Sequence, residues 1–415
     1  MKFFINSYFG DNQSIGLLSH IKKRLPYGMD DQWMVFSHYT ERGWTVDNLW
    51  HIFTDFYGGQ YVPLAFLSYL VLYAGFGYDP FYFHMFSLLL HIGCVCLVWK
   101  LISSLLRVHG GVSEKQILYV NFITTLLFAV HPINVEAVAW ISALKVVLYA
   151  FFYLLGLLCY LRYIRTSKIF YYVLTIGCFL CSFWGKEQAV TFPLALLIVD
   201  WFTNRNMKNL EVWSEKMSFL IMAFFFGIIT VLSQGKGPYE MIFPLYQRLL
   251  FGCFALVEYI TKSLLPVNLN FFYPFPIVLG EEPPLHYYLY PVVLLFLMGW
   301  IIAYRNNRYL VFGVLLFLVN LLFSIHLFNM SRHAIVADRY MYLSYVGIAF
   351  LIANGIWWLR KRLSYFKAAL VFLFFYCFFL SVYTFHYTKK WENTTMVKKY
   401  TKEVLEKRLN GSNHL

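Results

Sequence analysis

The chain contains repeated apolar runs that are long enough to cross a lipid bilayer. Runs of roughly 17–25 mostly apolar residues recur along it, and a helix needs about 20 such residues to span the hydrocarbon core. Of the 415 residues, 60% are hydrophobic and only 13% are charged, whereas a soluble domain carries about 25% charged residues. Because backbone groups in lipid must be hydrogen-bonded internally, we expect an all-α, polytopic membrane helical bundle.

The positions of the apolar runs predict about ten membrane spans, and the loops between them predict the orientation. Short loops rich in Lys and Arg stay in the cytoplasm, and alternate loops of this chain are basic, beginning with the loop that contains Arg107 and Lys115. The predicted spans lie near residues 81–106, 117–133, 146–164, 169–185, 187–203, 217–235, 287–303, 309–327, 340–359 and 366–386. The segments predicted to face outward are 1–80, 131–145, 185–188, 236–286, 328–340 and 387–415.

One apolar stretch, residues 243–265, is not assigned as a span. It carries Arg248, Glu258 and Lys262, each of which is costly at the middle of a membrane. We expect an amphipathic helix on the outer interface; the alternative is a true span whose charges are buried among its neighbours.

The sequence predicts three regions. Residues 1–80 form a first outer loop with interfacial helices, residues 81–386 form the transmembrane bundle, and residues 387–415 form an outer helical tail, a possible remnant of a repeat domain. Residues 1–60 contain no apolar span or signal peptide, so we expect a preceding span to be missing.

Charge and cysteine content exclude several other classes of protein. The net charge is +13, which we attribute to the basic cytoplasmic loops, and no nucleic-acid-binding motif is present. All seven cysteines lie in apolar segments without metal-site spacing, so neither a disulfide framework nor a metal site is expected. We assign no cofactor.

The first predicted outer segment contains two adjacent carboxylates, Asp30 and Asp31, and later the stretch GGQYVPL over residues 58–64, which includes Gln60. One carboxylate of such a pair can deprotonate an acceptor hydroxyl while the other orients it. Neighbouring acids also raise one another's pKa values. An ordinary solvated turn explains the pair equally simply.

The second outer segment reads HPINVEAVAWISALK over residues 131–145. On a helix that starts after the proline, Glu136 and Trp140 share a face. Side chains at His131, Glu136 and Lys145 can offer a proton relay, a metal ligand or a phosphate contact. His131 can equally be a helix cap or an interface anchor.

Two further outer segments carry cations. Lys186 and Glu187 occupy a tight turn between two spans, where the lysine suits a phosphate or reaches lipid headgroups. Arg339 and Tyr342 are one turn apart and can clamp a phosphodiester, with Asp338 holding the arginine. The alternative is an interfacial Arg–Tyr anchor. The aromatic, proline-rich residues 265–276 are expected to line a groove for a lipid chain or to rest on the bilayer.

The order of these motifs resembles a known family. An Asp-Asp loop is followed by GGQYVPL, HPINVEAVAWIS, a Lys-Glu turn, LPVNLNFFYPFP and ADRYMYL. Over roughly residues 25–400 this is similar to the membrane part of bacterial multi-span proteins with tetratricopeptide repeats. It also resembles their animal relatives, the transmembrane O-mannosyltransferases that modify cadherins. Both are glycosyltransferases of the GT-C fold class. The relatives often have an Asp after the lysine at position 145, where this chain has Val146.

The resemblance implies an inverting transfer of a hexose from a polyprenyl-phosphate donor to a hydroxyl of an outer-side protein or glycan. It places the base or orienting acid at Asp30 or Asp31, with Glu136 as a further catalytic candidate. Lys186, Arg339, Lys145 and Tyr342 would hold the donor phosphate, and His131, Glu187, Gln60 and Asp338 would bind or orient substrate. The expected location is a bacterial inner membrane, with the site facing the periplasm.

Other functions remain open at this point. A surface-polysaccharide ligase or polymerase would share the outer acids and cations. A transporter would show charges in mid-span, broken helices and an internal repeat. The third alternative is an inactive scaffold that has lost its first span and its repeats.

Overall fold

The computed structural model describes residues 30–234, 243–327 and 334–412. Within these ranges the regular structure is helical, and the only β-type pairings are two isolated bridges, Tyr57 with Gln60 and Tyr273 with Val336. The expected all-α helical bundle is therefore confirmed. The prediction about the N-terminal region before Asp30 lies outside the described residues.

Four shorter helices precede the first long one, and helices of different lengths follow it. The short ones are α1 (Asp31–Met34), α2 (His38–Glu41), α3 (Val46–Thr54) and α4 (Pro63–Phe76). The next are α5 (Pro80–His109), α6 (Glu114–Val130), α7 (Val135–Ala139), α8 (Leu144–Thr166), α9 (Ile169–Gly185), α10 (Phe192–Phe202) and α11 (Leu210–Gln234). The remaining helices are α12 (Leu245–Leu264), α13 (Leu289–Ala303), α14 (Arg308–Leu321), α15 (Met341–Trp358), α16 (Leu363–Thr388) and α17 (Thr394–Ser412).

Six helical segments are long and apolar enough to cross a membrane, or seven if the bent pair of α6 and α7 is one span. Helices α4, α9 and α14 are apolar but shorter. A multi-pass membrane protein is therefore confirmed, and each predicted span overlaps a helix, but a count of ten crossings stays a prediction. The long segments are Pro80–His109, Ile141–Thr166, Leu210–Gln234, Leu285–Ala303, Asp338–Lys361 and Leu363–Trp391.

Helix α12 occupies the stretch that was not assigned as a span. It is not among the long apolar segments of the described chain. Its Lys262 is buried and lies 3.5 Å from Glu258 one turn earlier. The helix is as predicted, while its place on the membrane interface stays a prediction.

A bend after α6 places the second polar segment across one end of the bundle. Pro132 cannot donate a backbone hydrogen bond, so the α-helix ends and a 3₁₀ turn, Pro132–Asn134, begins. The His131 Nδ1 atom caps this turn by accepting a bond from the Ile133 amide at 3.2 Å. Helix α7 follows at an angle of 50° to α6. We call the end of the bundle that carries α7 the outer end.

Helix α8 lies at the centre of the bundle. In the most apolar stretch of its segment, 78% is buried inside the protein, against 6% in the segment that contains α13. Helix α8 packs against both α5 and α9. A side chain at the start of α8 is therefore held by a well-packed element, whereas α13 leaves most of its apolar surface exposed.

The first outer segment packs against the start of α8 through its own hydrophobic cluster. Tyr39, Phe66 and Tyr69 contribute to this cluster from the first segment, and Ile141 and Leu144 contribute from α8 and the turn before it. The Tyr69 hydroxyl donates to the Ile141 carbonyl at 2.9 Å. This packing brings the Asp30 and Asp31 region over the outer end of the bundle.

All seven cysteines are free in the structure. Three of them are buried among apolar side chains, and the others are partly or fully exposed on helices of the bundle. They are Cys94, Cys96, Cys159, Cys178, Cys181, Cys253 and Cys377.

Candidate active site at the outer end of the bundle

Three cations from different segments converge at the outer end. Lys145 comes from the start of α8, Lys186 from the turn after α9, and Arg339 from the 3₁₀ turn before α15. Each of the three interacts electrostatically with the others. We call Lys145, Lys186 and Arg339 the cationic cluster.

Glu136 holds the Arg339 side chain in this cluster. One carboxylate oxygen accepts from the Arg339 backbone amide at 2.7 Å, and the other accepts from its guanidinium. Glu136 is completely buried, while the Arg339 side chain is 20% exposed. A buried carboxylate bonded twice to one residue fixes where that guanidinium points. The contacts therefore favour a positioning role for Glu136, and its predicted catalytic role stays a prediction.

Lys186 is buried against an aromatic ring. Its Nζ atom lies 4.9 Å from the centre of the Tyr340 ring. Burial lowers the pKa of Lys186 to about 8, with Lys145 and Arg339 adding to this effect and Glu187 and Tyr340 opposing it. Near neutral pH the amine is still protonated, so it can bind an anion.

Lys145 is held by the turn that precedes α4. Its Nζ atom donates to Gln60 Oε1 at 2.6 Å and lies 5.9 Å from the Trp33 ring centre. Gly58 and Gly59 form the turn, both with positive φ angles. A Cβ atom on Gly58 would lie 2.4 Å from the Trp33 ring, so only glycine fits there. The turn thus presents Gln60 to Lys145.

Asp31 joins the first outer segment to the second. Its Oδ1 atom accepts from the Ser142 amide at 2.9 Å and also from the Ser142 hydroxyl, and its Oδ2 atom accepts from Trp140 Nε1 at 3.2 Å. Burial raises the pKa of Asp31 to about 6, although the hydrogen bonds from Ser142 and Trp140 work against this rise. Both carboxylate oxygens are therefore engaged with the protein.

Asp30 has a different environment from its neighbour. It is partly exposed, and its carboxylate interacts electrostatically with Lys145 and Arg339. Asp30 is therefore the carboxylate of the pair that interacts with the cationic cluster.

The predicted pairing of Asp338 with Arg339 is wrong. The Asp338 carboxylate instead accepts from the Tyr273 hydroxyl at 2.9 and 3.0 Å, and Glu136 takes its place beside Arg339. Residues 338–340 form a 3₁₀ turn, in which successive side chains point about 120° apart. Asp338 and Arg339 therefore face different neighbours.

Tyr342 lies with a different group of side chains. Its hydroxyl is 2.7 Å from His91 Nδ1, and its ring contacts Phe128. In the described part of the chain, its contacts include neither Lys186 nor Arg339. The ring that does lie beside both cations is Tyr340, 5.2 Å from the Arg339 guanidinium carbon.

The other predicted orienting residues are close to the site in different ways. Glu187 is half-buried and acts electrostatically on Lys186 and Lys145. His131 is buried, caps the turn that leads to α7, and packs against the tilted ring of Tyr345 at 4.2 Å between ring centres. These contacts match the alternative prediction for His131, a helix cap.

The aromatic residues of segment 265–276 support the site from behind. The Phe271 ring lies 5.3 Å from Trp140, and Phe275 packs on Phe243 at 5.0 Å. Tyr273 is buried and receives a hydrogen bond from Lys262 at 3.0 Å. All three rings therefore contact other side chains of the protein, and the predicted groove for a lipid chain stays a prediction.

The residues that sequence reasoning left without a role are mainly aromatic. Trp140 lies 5.4 Å from the Arg339 guanidinium carbon, and Ser142 binds Asp31. Tyr340 directly follows Arg339 in the sequence, and its position next to the predicted phosphate ligand was the available signal. Among the described residues, no three His, Cys, Asp or Glu side chains are grouped so that they could hold a metal ion.

The arrangement is suited to two tasks. The cationic cluster can stabilise negative charge on a bound anion, and the carboxylate of Asp30 can accept a proton. Three preorganised cations in a buried site stabilise negative charge better than the same cations would in water. The partly exposed Asp30 can accept a proton from a hydroxyl that approaches from the outer end.

Comparison with curated proteins finds similarity to animal protein O-mannosyl-transferases. The chain is 33% identical over 189 residues to protein O-mannosyl-transferase TMTC2 of Mus musculus, covering 41% of this chain and 21% of that protein. It is 27% identical over 172 residues to protein O-mannosyl-transferase Tmtc3 of Drosophila melanogaster, covering 37% and 18%. It is 30% identical over 165 residues to protein O-mannosyl-transferase TMTC4 of Homo sapiens, covering 35% and 22%.

The predicted resemblance to transmembrane O-mannosyltransferases is therefore confirmed. The matched part is about a fifth of the length of each relative. No family model matches the chain, and no solved structure matches it.

Proposed function

We propose that this chain is a membrane glycosyltransferase that moves a mannose-like hexose from a polyprenyl-phosphate donor to a hydroxyl of a protein. The observation that carries the proposal is the convergence of Lys145, Lys186 and Arg339 beside the carboxylate of Asp30 at one end of an apolar bundle. The similarity to proteins named protein O-mannosyl-transferases supports the reaction class.

The proposed reaction is a single inverting displacement. Asp30 takes the proton of the acceptor hydroxyl while the hydroxyl oxygen attacks the anomeric carbon of the sugar. The bond between that carbon and the phosphate oxygen breaks, and the polyprenyl phosphate leaves with the electron pair. Lys186 and Arg339 stabilise the negative charge that develops on the leaving phosphate.

The other residues position these groups. Glu136 orients the Arg339 guanidinium, and Gln60 holds the Lys145 amine. Asp31 ties the loop that carries Asp30 to residues 140–142. We propose that the outer end faces the extracytoplasmic side, and a bacterial inner membrane remains our predicted location.

The test is transfer of radiolabelled mannose from polyprenyl-phosphate mannose by the reconstituted protein. Asp30→Asn should lower kcat about 10²- to 10⁴-fold, the usual contribution of a general base. Asp47→Asn is the matched control, since Asp47 is an exposed acid of the same outer segment that pairs with His51. Normal transfer by a folded Asp30→Asn variant would remove Asp30 from the mechanism.

The acceptor class is tested in the same assay. Protein and glycan acceptors are compared at equal concentrations of hydroxyl groups. Transfer to protein supports the proposal. Transfer to glycan alone would replace it with the polysaccharide ligase or polymerase alternative.

A further inference from the structure

Trp140 is a buried tryptophan that lies between the two charged parts of the candidate site. It directly follows α7, and its side chain is only 3% exposed. Its backbone amide donates to the Glu136 carbonyl at 3.3 Å, one turn earlier. The short helix that carries Glu136, the carboxylate bound to Arg339, therefore also carries Trp140 at its end.

The edge of the indole contacts the acidic segment. The Trp140 Nε1–H group donates to Asp31 Oδ2 at 3.2 Å. An indole has one donor and no acceptor, so this bond uses all of its hydrogen-bonding capacity. The Asp30 carbonyl accepts from the Met34 amide at 2.8 Å, so Asp30 and Asp31 belong to one hydrogen-bonded turn. The bond to Asp31 therefore also holds the turn that carries Asp30.

The face of the same ring contacts the cationic cluster. The Arg339 guanidinium carbon lies 5.4 Å from the ring centre of Trp140 and 5.2 Å from that of Tyr340. A guanidinium within about 6 Å of a ring centre is attracted by the negative potential of the ring face. Glu136 accepts two further hydrogen bonds from Arg339. Two rings and one carboxylate together restrict the guanidinium.

Aromatic rings from two other segments hold Trp140 in place. The Phe271 ring centre lies 5.3 Å away with its plane at 87°, and the Trp391 ring centre lies 6.2 Å away. Close-packed interiors transmit a displacement of one side chain to its neighbours. The Trp140 ring therefore cannot shift toward Asp31 or away from Arg339 without disturbing these contacts.

We propose that Trp140 is the positioning residue that sets the separation between the base Asp30 and the phosphate ligand Arg339. Its N–H group holds the acidic segment through Asp31, and its ring face holds the guanidinium. The inference rests on the proposed function for the roles of Asp30 and Arg339, and it adds that both roles depend on one side chain. Displacement at the anomeric carbon needs the base and the leaving phosphate in fixed geometry, and a misplacement of about 1 Å can lower the rate about 10²-fold.

Two substitutions separate the N–H group from the ring face. Trp140→Phe removes the donor and keeps an aromatic face, whereas Trp140→Leu removes both. Trp140→Phe should lower kcat for mannose transfer about tenfold, as expected for loss of a hydrogen bond to a charged group, and leave the donor KM unchanged. Trp140→Leu should lower kcat to a similar extent and also raise the donor KM about tenfold, because the guanidinium loses its contact with the ring.

Trp391→Phe is the matched control for both variants. Trp391 is a buried tryptophan of the same aromatic group, and its ring contacts are with Trp140, Phe271 and Tyr387. Its substitution should leave kcat and the donor KM unchanged, and the thermal midpoint shows whether each variant is folded. If Trp391→Phe reproduces the effect of Trp140→Phe, or if both Trp140 variants change kcat and KM alike, Trp140 acts through packing alone and the proposal is wrong.

A double-mutant cycle tests the contact with Asp31. Adding Trp140→Phe to Asp31→Asn should lower kcat by less than about threefold, because the charged acceptor of the indole N–H group is already absent. Independent, fully additive losses from the two substitutions would show that Trp140 does not act through Asp31.

Binding of polyprenyl phosphate alone separates this inference from the proposed function. Its Kd, measured by isothermal titration in detergent, should rise about tenfold in Trp140→Leu and stay at the wild-type value in Trp140→Phe. This pattern in a protein that transfers no mannose would contradict the proposed function and support the role of the Trp140 ring. Mannose transfer with equal Kd values in the wild type and both variants would overturn the inference and leave the proposed function intact.

Discussion

The adjacent acids Asp30 and Asp31 lie in different electrostatic environments. Asp31 is 1% exposed and accepts hydrogen bonds from Ser142 and Trp140, whereas Asp30 is partly exposed beside the cationic cluster. Burial disfavours a charged carboxylate, and hydrogen bonds to it favour the charge. At Asp31 burial is the larger effect, so its pKa rises to about 6.

The raised pKa of Asp31 predicts how stability depends on pH. The folded protein binds this proton more tightly than the unfolded chain does, so the stabilisation is complete below the ordinary value of 3.8 and is lost as the pH rises through about 6. A difference of about 2 pKa units corresponds to about 3 kcal/mol. We expect the thermal midpoint in detergent to fall between pH 4 and 6.

Asp31→Asn should remove that dependence, because an amide does not titrate. Thermal unfolding of the variant should show a level midpoint over the same pH range, with Asp47→Asn behaving like the wild type. A variant that keeps the wild-type slope would show that another group is responsible.

Lys186 predicts a second pH dependence, in donor binding. Its burial lowers its pKa to about 8, so the cationic form is lost as the pH rises through that value. The donor KM should be constant from pH 6.5 to 7.5 and rise about tenfold per pH unit well above 8. Steady-state kinetics with Lys186→Arg should show no such rise, since arginine stays charged. A rise of the same size in that variant would exclude Lys186 as its source.

Helices α14 and α15 approach each other through glycine. A Cβ atom on Gly347 would lie 2.5 Å from the Gly313 carbonyl oxygen and 2.7 Å from the Phe317 amide nitrogen. Both neighbours are backbone atoms, which cannot rotate away as a flexible side chain does. The two helices must therefore separate if position 347 carries a side chain.

Gly347→Ala should accordingly destabilise the protein by about 1–3 kcal/mol, the usual cost of overpacking. Gly355→Ala is the matched control, because Gly355 lies on the same helix and a Cβ atom there meets nothing within 4 Å. The measurement is the thermal midpoint of each variant in detergent. Equal midpoints for the two variants would contradict the close contact.

A second group of charges holds helices together at the opposite end. Lys216 of α11 is buried with Asp200 of α10 at 2.6 Å, and Arg205 binds Glu215 at 2.6 Å. The Tyr160 hydroxyl of α8 donates to Asp200 at 2.7 Å. Because these opposite charges are paired and hydrogen-bonded, the network joins three helices without leaving a buried charge alone.

The C-terminal helix α17 is joined to the outer end of the bundle. The Thr401 hydroxyl donates to Asn270 Oδ1 at 2.8 Å, and the Asn270 amide donates to the Tyr273 hydroxyl at 2.6 Å. Tyr273 in turn donates to Asp338, the residue before Arg339. The predicted outer tail is thus connected to the candidate site through three hydrogen bonds.

The predicted topology assigns each exposed loop of the bundle to one side of the membrane. Cysteines introduced at the exposed positions Glu41 and Glu392 should react with an impermeant maleimide from the extracytoplasmic side. Cysteines at the exposed positions Lys115 and Lys208 should react only after the membrane is permeabilised. Labelling of Glu41→Cys and Lys115→Cys from the same side would refute the topology and, with it, the proposed entry of the acceptor.

The composition and the lengths of the apolar runs were sufficient to predict an all-α membrane bundle and the approximate positions of its apolar helices. They were sufficient because the bilayer leaves few alternatives to a helix of a given length. The same reasoning grouped Asp30, Glu136, Lys186 and Arg339 on one side, and the structure brings these residues together at one end. The helices that were predicted as spans but are short, such as α9 and α14, show the limit of counting spans by hydropathy alone.

The partners within the site depend on tertiary packing. Nothing local to Arg339 distinguishes the neighbouring Asp338 from Glu136, which lies 203 positions away, as the acid that would bind it. The choice follows from the 50° bend after α6, which carries Glu136 across the end of the bundle, and from the turn that directs Asp338 to Tyr273. Side-chain direction at such turns is set by packing between distant segments, and a pattern of residue types along one segment does not contain it.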